Sequence, residues 1–218
     1  SVNLAVSRRG KGMIRILVVN SSPGLSFSVS RQLVHSFLEA YTMARPDCVV
    51  VERDVGRNPP PHLTEIAVSA YFTPPEYWSE SQKAAIALSN ELVDEFLSGD
   101  LIVIGAPMHN FGISSGLKAY VDHIVRAGRT FAFSPAGPVG LATGKKVVVI
   151  TSRGSDYSQG SPLAGLDHQE NHLRTIFGFI GVTDVTFMHC QGTAVSEDTR
   201  NLAIANVKSQ INSNAHLL

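Results

Sequence analysis

Short, β-branched apolar runs alternate with longer stretches of helical periodicity along most of the chain, and no other feature constrains the fold as strongly. Parallel strands need a crossover of a dozen or more residues between them, so this alternation specifies βαβ units. The first run, residues 14–19, is apolar apart from Arg15 and breaks at Asn20-Ser21-Ser22-Pro23-Gly24. Uninterrupted runs of this kind suit strands covered on both faces. Residues 48–51, 101–106, 146–151 and 185–190 read as four more strands. Between the first two, Val29, Leu33, Phe37, Leu38 and Tyr41 recur at helical spacing, so a helix starts near Ser28 and stops before Pro46. A capping box, Ser79 with Gln82 three residues on, precedes Ala85, Leu88, Leu92 and Phe96 in a helix that ends at Gly99. Leu117, Tyr120, Val121, Ile124 and Val125 predict a helix begun by Ser114-Ser115 and closed by Gly128; residues 168–180 and 202–211 predict two more. The stretch from Asn58-Pro59-Pro60-Pro61 to Pro75 reads as a proline-rich excursion.

At 218 residues, 44% hydrophobic and 17% charged, the chain fits a single domain with a substantial core, expected over residues 13–218. Residues 1–12 carry Arg8, Arg9 and Lys11 without an apolar stretch and precede a plausible initiator Met13, so they read as a leader or disordered arm. Eighteen basic residues balance eighteen acidic ones, which leaves no net charge to steer the molecule onto nucleic acid or an anionic membrane. The longest apolar stretches fall far short of the roughly 20 residues a membrane-spanning helix needs. Two cysteines, Cys48 and Cys190, without CxxC spacing favour a reducing compartment, and the cytoplasm is the expected location.

Five strands alternating with helices predict an α/β doubly wound parallel sheet of the flavodoxin kind, with strand order 2-1-3-4-5. Its ligand then sits beyond the carboxyl ends of the strands, at the loops after strands one, three and four. The second and fifth strands are opposite edges in that order, which puts Cys48 and Cys190 roughly 19 Å apart, too far for a disulfide.

Three loops carry the chemistry. Residues 21–30 place five serines around a glycine just before a helix N-terminus, an anion site that needs no lysine or arginine and suits a phosphate monoester. An ordinary serine-rich helix cap is the alternative. Ala106-Pro107-Met108-His109-Asn110-Phe111-Gly112 offers two rings, an amide and a glycine, as a flat heteroaromatic ligand requires; a packed turn is the alternative. Thr151-Ser152-Arg153-Gly154-Ser155 supplies a glycine for close backbone approach and a fixed positive charge at Arg153.

Ser21-Ser22, Ser28-Val29-Ser30 and Leu33, then Ala-Pro-Met-His-Asn-Phe running into Leu117-Lys118-Ala-Tyr-Val-Asp122, resemble the FMN-dependent NADH:azoreductases, a group of flavodoxin-like NAD(P)H quinone reductases. The likeness continues through Arg126-Ala-Gly-Arg-Thr-Phe131, Ser152-Arg153-Gly154 and Phe177-Gly-Phe-Ile-Gly181. It implies FMN as cofactor, NADH or NADPH as donor, ping-pong reduction of quinones and azo compounds, and a homodimer with the flavin at the subunit interface. Carried over residue by residue, Ser22, Ser28, Val29 and Ser30 hold the phosphate; Pro107, Met108, His109, Asn110 and Phe111 line the isoalloxazine; Ser152, Arg153, Gly154 and Ser155 meet its pyrimidine side. Phe131 and Phe133, in a segment too apolar for a solvated monomer loop, help wall the substrate pocket across the dimer axis. His109 stands where the family usually has Tyr or Trp, and Ser155 where a second Gly is common. The resemblance implies hydride transfer at flavin N5 with no catalytic side chain, His109 being the one nearby candidate for a proton donor. An NADPH:FMN reductase or a non-catalytic electron carrier is the alternative function.

His168 and His172, one helical turn apart with Glu170 between them, lack the HExxH order and a third ligand, and read as a solvated helix face with no metal.

Overall fold

A computed structural model of the protein describes residues 13–215; the leader expected over residues 1–12 lies outside them. Chain order runs β1 Ile14–Asn20, α1 Val29–Ala44, β2 Cys48–Asp54, α2 Glu65–Tyr71, α3 Glu80–Ser98, β3 Leu101–Pro107 and α4 Ser115–Ile124. It continues β4 Phe131–Ser134, β5 Gly137–Gly140, β6 Lys146–Ser152, α5 His168–Phe179, β7 Asp184–Cys190 and α6 Glu197–Asn214.

The sheet is five-stranded and parallel, ordered β2-β1-β3-β6-β7, while β4 and β5 form a separate antiparallel hairpin. Counting only the sheet strands in chain order, this is consistent with the expected 2-1-3-4-5. The three inner strands are apolar through their middles, with Arg15 and Lys146 near their amino ends, because both faces are covered there, and alternate residues supply two separate cores. Leu17, Val19, Ile102, Ile104, Val147 and Val149 pack under α3, α4 and α5 through Phe96, Leu117, Tyr120 and Phe177. Ile16, Val18, Val103, Val148 and Ile150 face α1 and α6 through Leu33, Phe37, Val207 and Ile211. Cys48 and Cys190 are free thiols on the two edge strands.

Three local readings are corrected. The proline-rich excursion contains α2, a two-turn helix whose N-cap Thr64 accepts from the Ala67 N–H and which packs Ala67 and Ala70 on Ile86 of α3. The helix expected to close at Gly128 stops at Ile124. There the Thr130 hydroxyl accepts from the Arg126 N–H at 2.9 Å and donates to the Ile124 carbonyl at 2.7 Å, so one side chain satisfies both groups at the helix end. The last helix begins at Glu197, five residues before the expected Leu202, because Ser196 caps it by accepting from the Thr199 N–H at 3.1 Å.

Among the described residues no helix is long and apolar enough to cross a membrane.

Candidate cofactor site

Register sets the site. Pro107 of β3 pairs with Ser152 of β6, and Ser152 with Cys190 of β7, so these strands finish abreast and their loops leave from one edge. Strand order reverses beside β1, and the N-termini of α1 and α6, which share a face, both point to this edge. A cleft of about 510 Å³ opens there, within the range of small-molecule sites.

One wall is the loop from Ser22 to Ser28 with Val29. Ser28 is the N-cap of α1: its hydroxyl accepts from the Arg31 N–H at 3.3 Å and lies 3.1 Å from the Ser30 hydroxyl. Among the described residues no acceptor meets the N–H groups of Val29 and Ser30, the orphan donors of a helix start. The Ser22 hydroxyl makes only a long 3.4 Å contact with the Gly24 carbonyl. Behind the loop, Arg31 donates to the Ser22 carbonyl at 2.6 Å and the Gly24 carbonyl at 3.1 Å, and grips both Asp54 carboxylate oxygens at 2.7 Å. Those bonds turn the loop carbonyls away from the cleft. Gly56 backs the same turn, where an added Cβ would lie 2.1 Å from the Ser22 carbonyl oxygen.

Pro107, His109 and Ser152 form the floor. After β3 the His109 N–H donates to the Gly112 carbonyl at 3.0 Å and the Gly112 N–H to that of His109 at 2.9 Å, a two-residue mirror-image turn with Asn110 and Phe111 at φ 47° and 68°. The left-handed positions therefore fall on Asn110 and Phe111, not on the glycine. Met108 is tied to β6 by its N–H to the Ser152 carbonyl at 2.9 Å. Met108, Asn110 and Phe111 do not line the cleft, and the Phe111 ring, exposed, lies edge-on to Tyr157 at 6.3 Å.

The β6 loop is stitched to the segment after β7. Gly192, Thr193 and Ala194 donate their N–H groups to the carbonyls of Ser155, Arg153 and Gly154 at 3.1, 2.9 and 3.0 Å. Its own N–H groups at Gly154 and Ser155 meet no acceptor among the described residues.

Arg153 is not a charge offered to a ligand. Its side chain is 1% exposed, turned inward to Asp167 at 2.8 Å and to Gln169 at 3.2 Å. Burial lowers its pKa and Asp167 opposes that shift. Ser30 is likewise fully buried, so its hydroxyl supports Ser28 and only its N–H is available. Phe131 and Phe133 stand on the β4-β5 hairpin away from the cleft. Phe131 is buried against Phe133 and Phe179, at 5.4 and 4.7 Å between ring centroids, so of the expected apolar patch Phe133 is the exposed member. Glu170 is held by Arg174 and His189, both at 2.7 Å, and among the described residues no cluster of three or more metal-binding side chains occurs.

Thr193 and Arg200 line the cleft and were not expected. They come from beyond β7, the fifth strand of the sheet, whereas a switch-point argument looks only at the loops after strands one, three and four.

Fold and site together define a doubly wound α/β protein with a ligand cleft at its switch point. The sequence model of the flavodoxin-like fold family matches residues 14–215, and the chain belongs to that family. An FMN-dependent NADH:quinone oxidoreductase from Herminiimonas arsenicoxydans is 44% identical over 200 residues, 92% of this chain and 98% of that protein. Among solved structures, the azoreductase from Bacillus anthracis strain Sterne superposes with a TM-score of 0.87 at 28% identity, covering 94% of this chain and all of the other. An FMN-dependent NADH-azoreductase from Bacillus anthracis strain Ames Ancestor, in complex with FMN, superposes with a TM-score of 0.82 at 26% identity over 93% of this chain and 100% of that one.

Proposed function

We propose that this chain is an FMN-dependent oxidoreductase that takes reducing equivalents from NADH, or NADPH, and delivers them to quinones and azo compounds. One observation carries the reading: a serine-lined cleft over a helix start with unpaired N–H groups, in a chain 44% identical to an FMN-dependent NADH:quinone oxidoreductase. Those donors fit a terminal phosphate. FMN, when bound, supplies the two-electron chemistry. Ser22, Ser28 and the N–H groups of Val29 and Ser30 would hold the phosphate. Pro107, His109 and Ser152 would lie against the rest of the ligand, with the unpaired N–H groups of Gly154 and Ser155 toward its pyrimidine edge. His109 packs there and moves no proton.

Residues 13–218 act as one FMN-binding unit, and the working form is a homodimer. Phe133 at 73%, Val139 at 48% and Leu141 at 45% exposure form apolar surface that a partner subunit would cover. We place the protein in the cytoplasm, since a chain with only two cysteines and no CxxC spacing suits a reducing compartment.

The visible absorbance spectrum of the purified protein, with the released flavin identified, tests the cofactor. Steady-state NADH oxidation with a quinone, with free FMN and with neither tests the reaction. Stimulation by the quinone is expected. Stimulation by free FMN alone would make it a flavin reductase, and no turnover with either would make it a carrier.

A further inference from the structure

Resting on the FMN reading, the electrostatics of the cleft are incomplete without one residue that lies outside the three loops. A phosphate monoester carries a charge of about −1.5 to −2 at neutral pH. The groups offered to it by the serine loop are formally neutral: two hydroxyls and two backbone N–H groups, aided by a helix end equivalent to roughly half a positive charge. The arginines nearest in sequence do not help. Arg31 is engaged by Asp54 and the loop carbonyls, and Arg153 by Asp167. Arg200 is the single charged side chain lining the cleft among the described residues. It stands one turn into α6, whose N-terminus shares the sheet edge with that of α1. Its backbone N–H completes the helix by donating to the Ser196 carbonyl at 3.0 Å, while no hydrogen bond or ion pair holds its guanidinium among the described residues. Glu197 and Asp198 precede it in the first turn of α6 and neither pairs with it.

We infer that Arg200 supplies the counter-charge for the FMN phosphate, reaching across the cleft from α6 toward the serine loop on α1. The flavin's ring and ribityl chain make no call on this charge, so Arg200 discriminates FMN from riboflavin rather than setting flavin affinity as a whole.

The test is titration of flavin-depleted protein with FMN and with riboflavin, followed by quenching of flavin fluorescence, for wild type, Arg200→Gln and Arg200→Lys. Measurements at about 0.02 M and about 0.3 M ionic strength vary the screening. Arg200 is exposed, so both variants should fold, and circular dichroism checks that they do. Arg200→Gln should weaken FMN roughly 3- to 10-fold at low salt, a charged contact discounted for its opening to solvent. Riboflavin should change by less than about twofold, Arg200→Lys should keep most of the FMN affinity, and added salt should narrow the gap between wild type and Arg200→Gln. Equal losses for both flavins, or FMN affinity unchanged in Arg200→Gln, overturn the inference while leaving the FMN reading intact. A raised KM for NADPH with FMN binding unaltered would assign Arg200 to the dinucleotide and equally overturn it. Wild-type protein that binds neither flavin would remove both.

Discussion

Replacing Arg31 with Ala removes the brace behind the serine loop, and the structure sets the size of the effect. The substitution deprives the Ser22 and Gly24 carbonyls of a donor and leaves the Asp54 carboxylate without its bidentate partner. The two side chains are only 15% and 18% exposed, so water replaces the lost bonds poorly. Breaking a buried pair costs about 3–5 kcal/mol and an exposed one under about 1 kcal/mol; this pair lies between, at about 2–3 kcal/mol. For a chain of this length that is roughly 4–12 °C in Tm. The effect depends on pH in a fixed direction. The Arg31 hydrogen bonds, foremost, hold the Asp54 carboxyl below its ordinary value, with burial opposing and the Arg57 and Gly56 N–H groups adding to the shift. A carboxyl lowered in the folded state stabilises fully above its unfolded pKa of about 4 and loses that contribution as pH falls through the folded value. The gap between wild type and variant should therefore be widest at neutral pH and narrow below about pH 4. Thermal unfolding followed by circular dichroism from pH 7 down to pH 3, for wild type, Arg31→Ala, Asp54→Ala and the double variant, measures it. We expect a coupling energy of at least about 1 kcal/mol at pH 7. Additive single variants, or a gap as wide at pH 3 as at pH 7, would refute the brace.

Ser28→Ala should weaken FMN by about 1–3 kcal/mol and cost about 1 kcal/mol of helix capping, whereas Ser30→Ala, whose hydroxyl is buried, should affect FMN far less; fluorescence titration separates them. Asp167→Asn keeps the oxygen that caps α5 but strands the buried Arg153 charge, so denaturant unfolding should show a loss of about 3 kcal/mol or more, partly recovered by adding Arg153→Met. If His109 only packs, His109→Tyr should preserve turnover with an unchanged pH profile and shift the apparent affinity for bulky azo dyes; a pH-dependent loss of quinone reduction confined to wild type, seen by stopped flow, would make it a proton donor. Phe133→Asp should yield monomers in ultracentrifugation and lower activity, and a fully active monomer of the unmodified chain would contradict the dimer.

The three inner strands are legible because two-sided burial writes itself as apolar runs, the edge strands β2 and β7 because their runs are β-branched and aromatic, and the capping box at Ser79 and Gln82 marks the start of α3 to the residue. What escaped was short or distant. Helix α2 spans seven residues between proline clusters, and the four-residue strands of the hairpin carry two glycines and a proline in β5, so neither presents enough periods to register. The six candidates that line the cleft, Ser22, Ser28, Val29, Pro107, His109 and Ser152, were readable as residue types at strand ends. The inward turn of Arg153 was not, since it depends on Asp167 arriving from the next helix cap. Arg200 escaped for a related reason: its place beside the serine loop is created by the packing of α6 next to α1, and nothing local to its own sequence announces a ligand.

The mirror-image turn after β3 places a bulky aromatic residue where only glycine and asparagine sit comfortably. Holding Phe111 left-handed costs the fold about 1–2 kcal/mol, met once, when the chain folds. Because the direction of the ring's Cα–Cβ bond is set by the backbone rather than by neighbouring side chains, whatever residue occupies position 111 is projected the same way, toward Tyr157 and outside the lining of the cleft. Position 111 is thus an interchangeable fixture on a rigid mount. Single substitutions there that relieve the left-handed strain, glycine and asparagine above all, should raise thermal stability as they take the ring away from Tyr157.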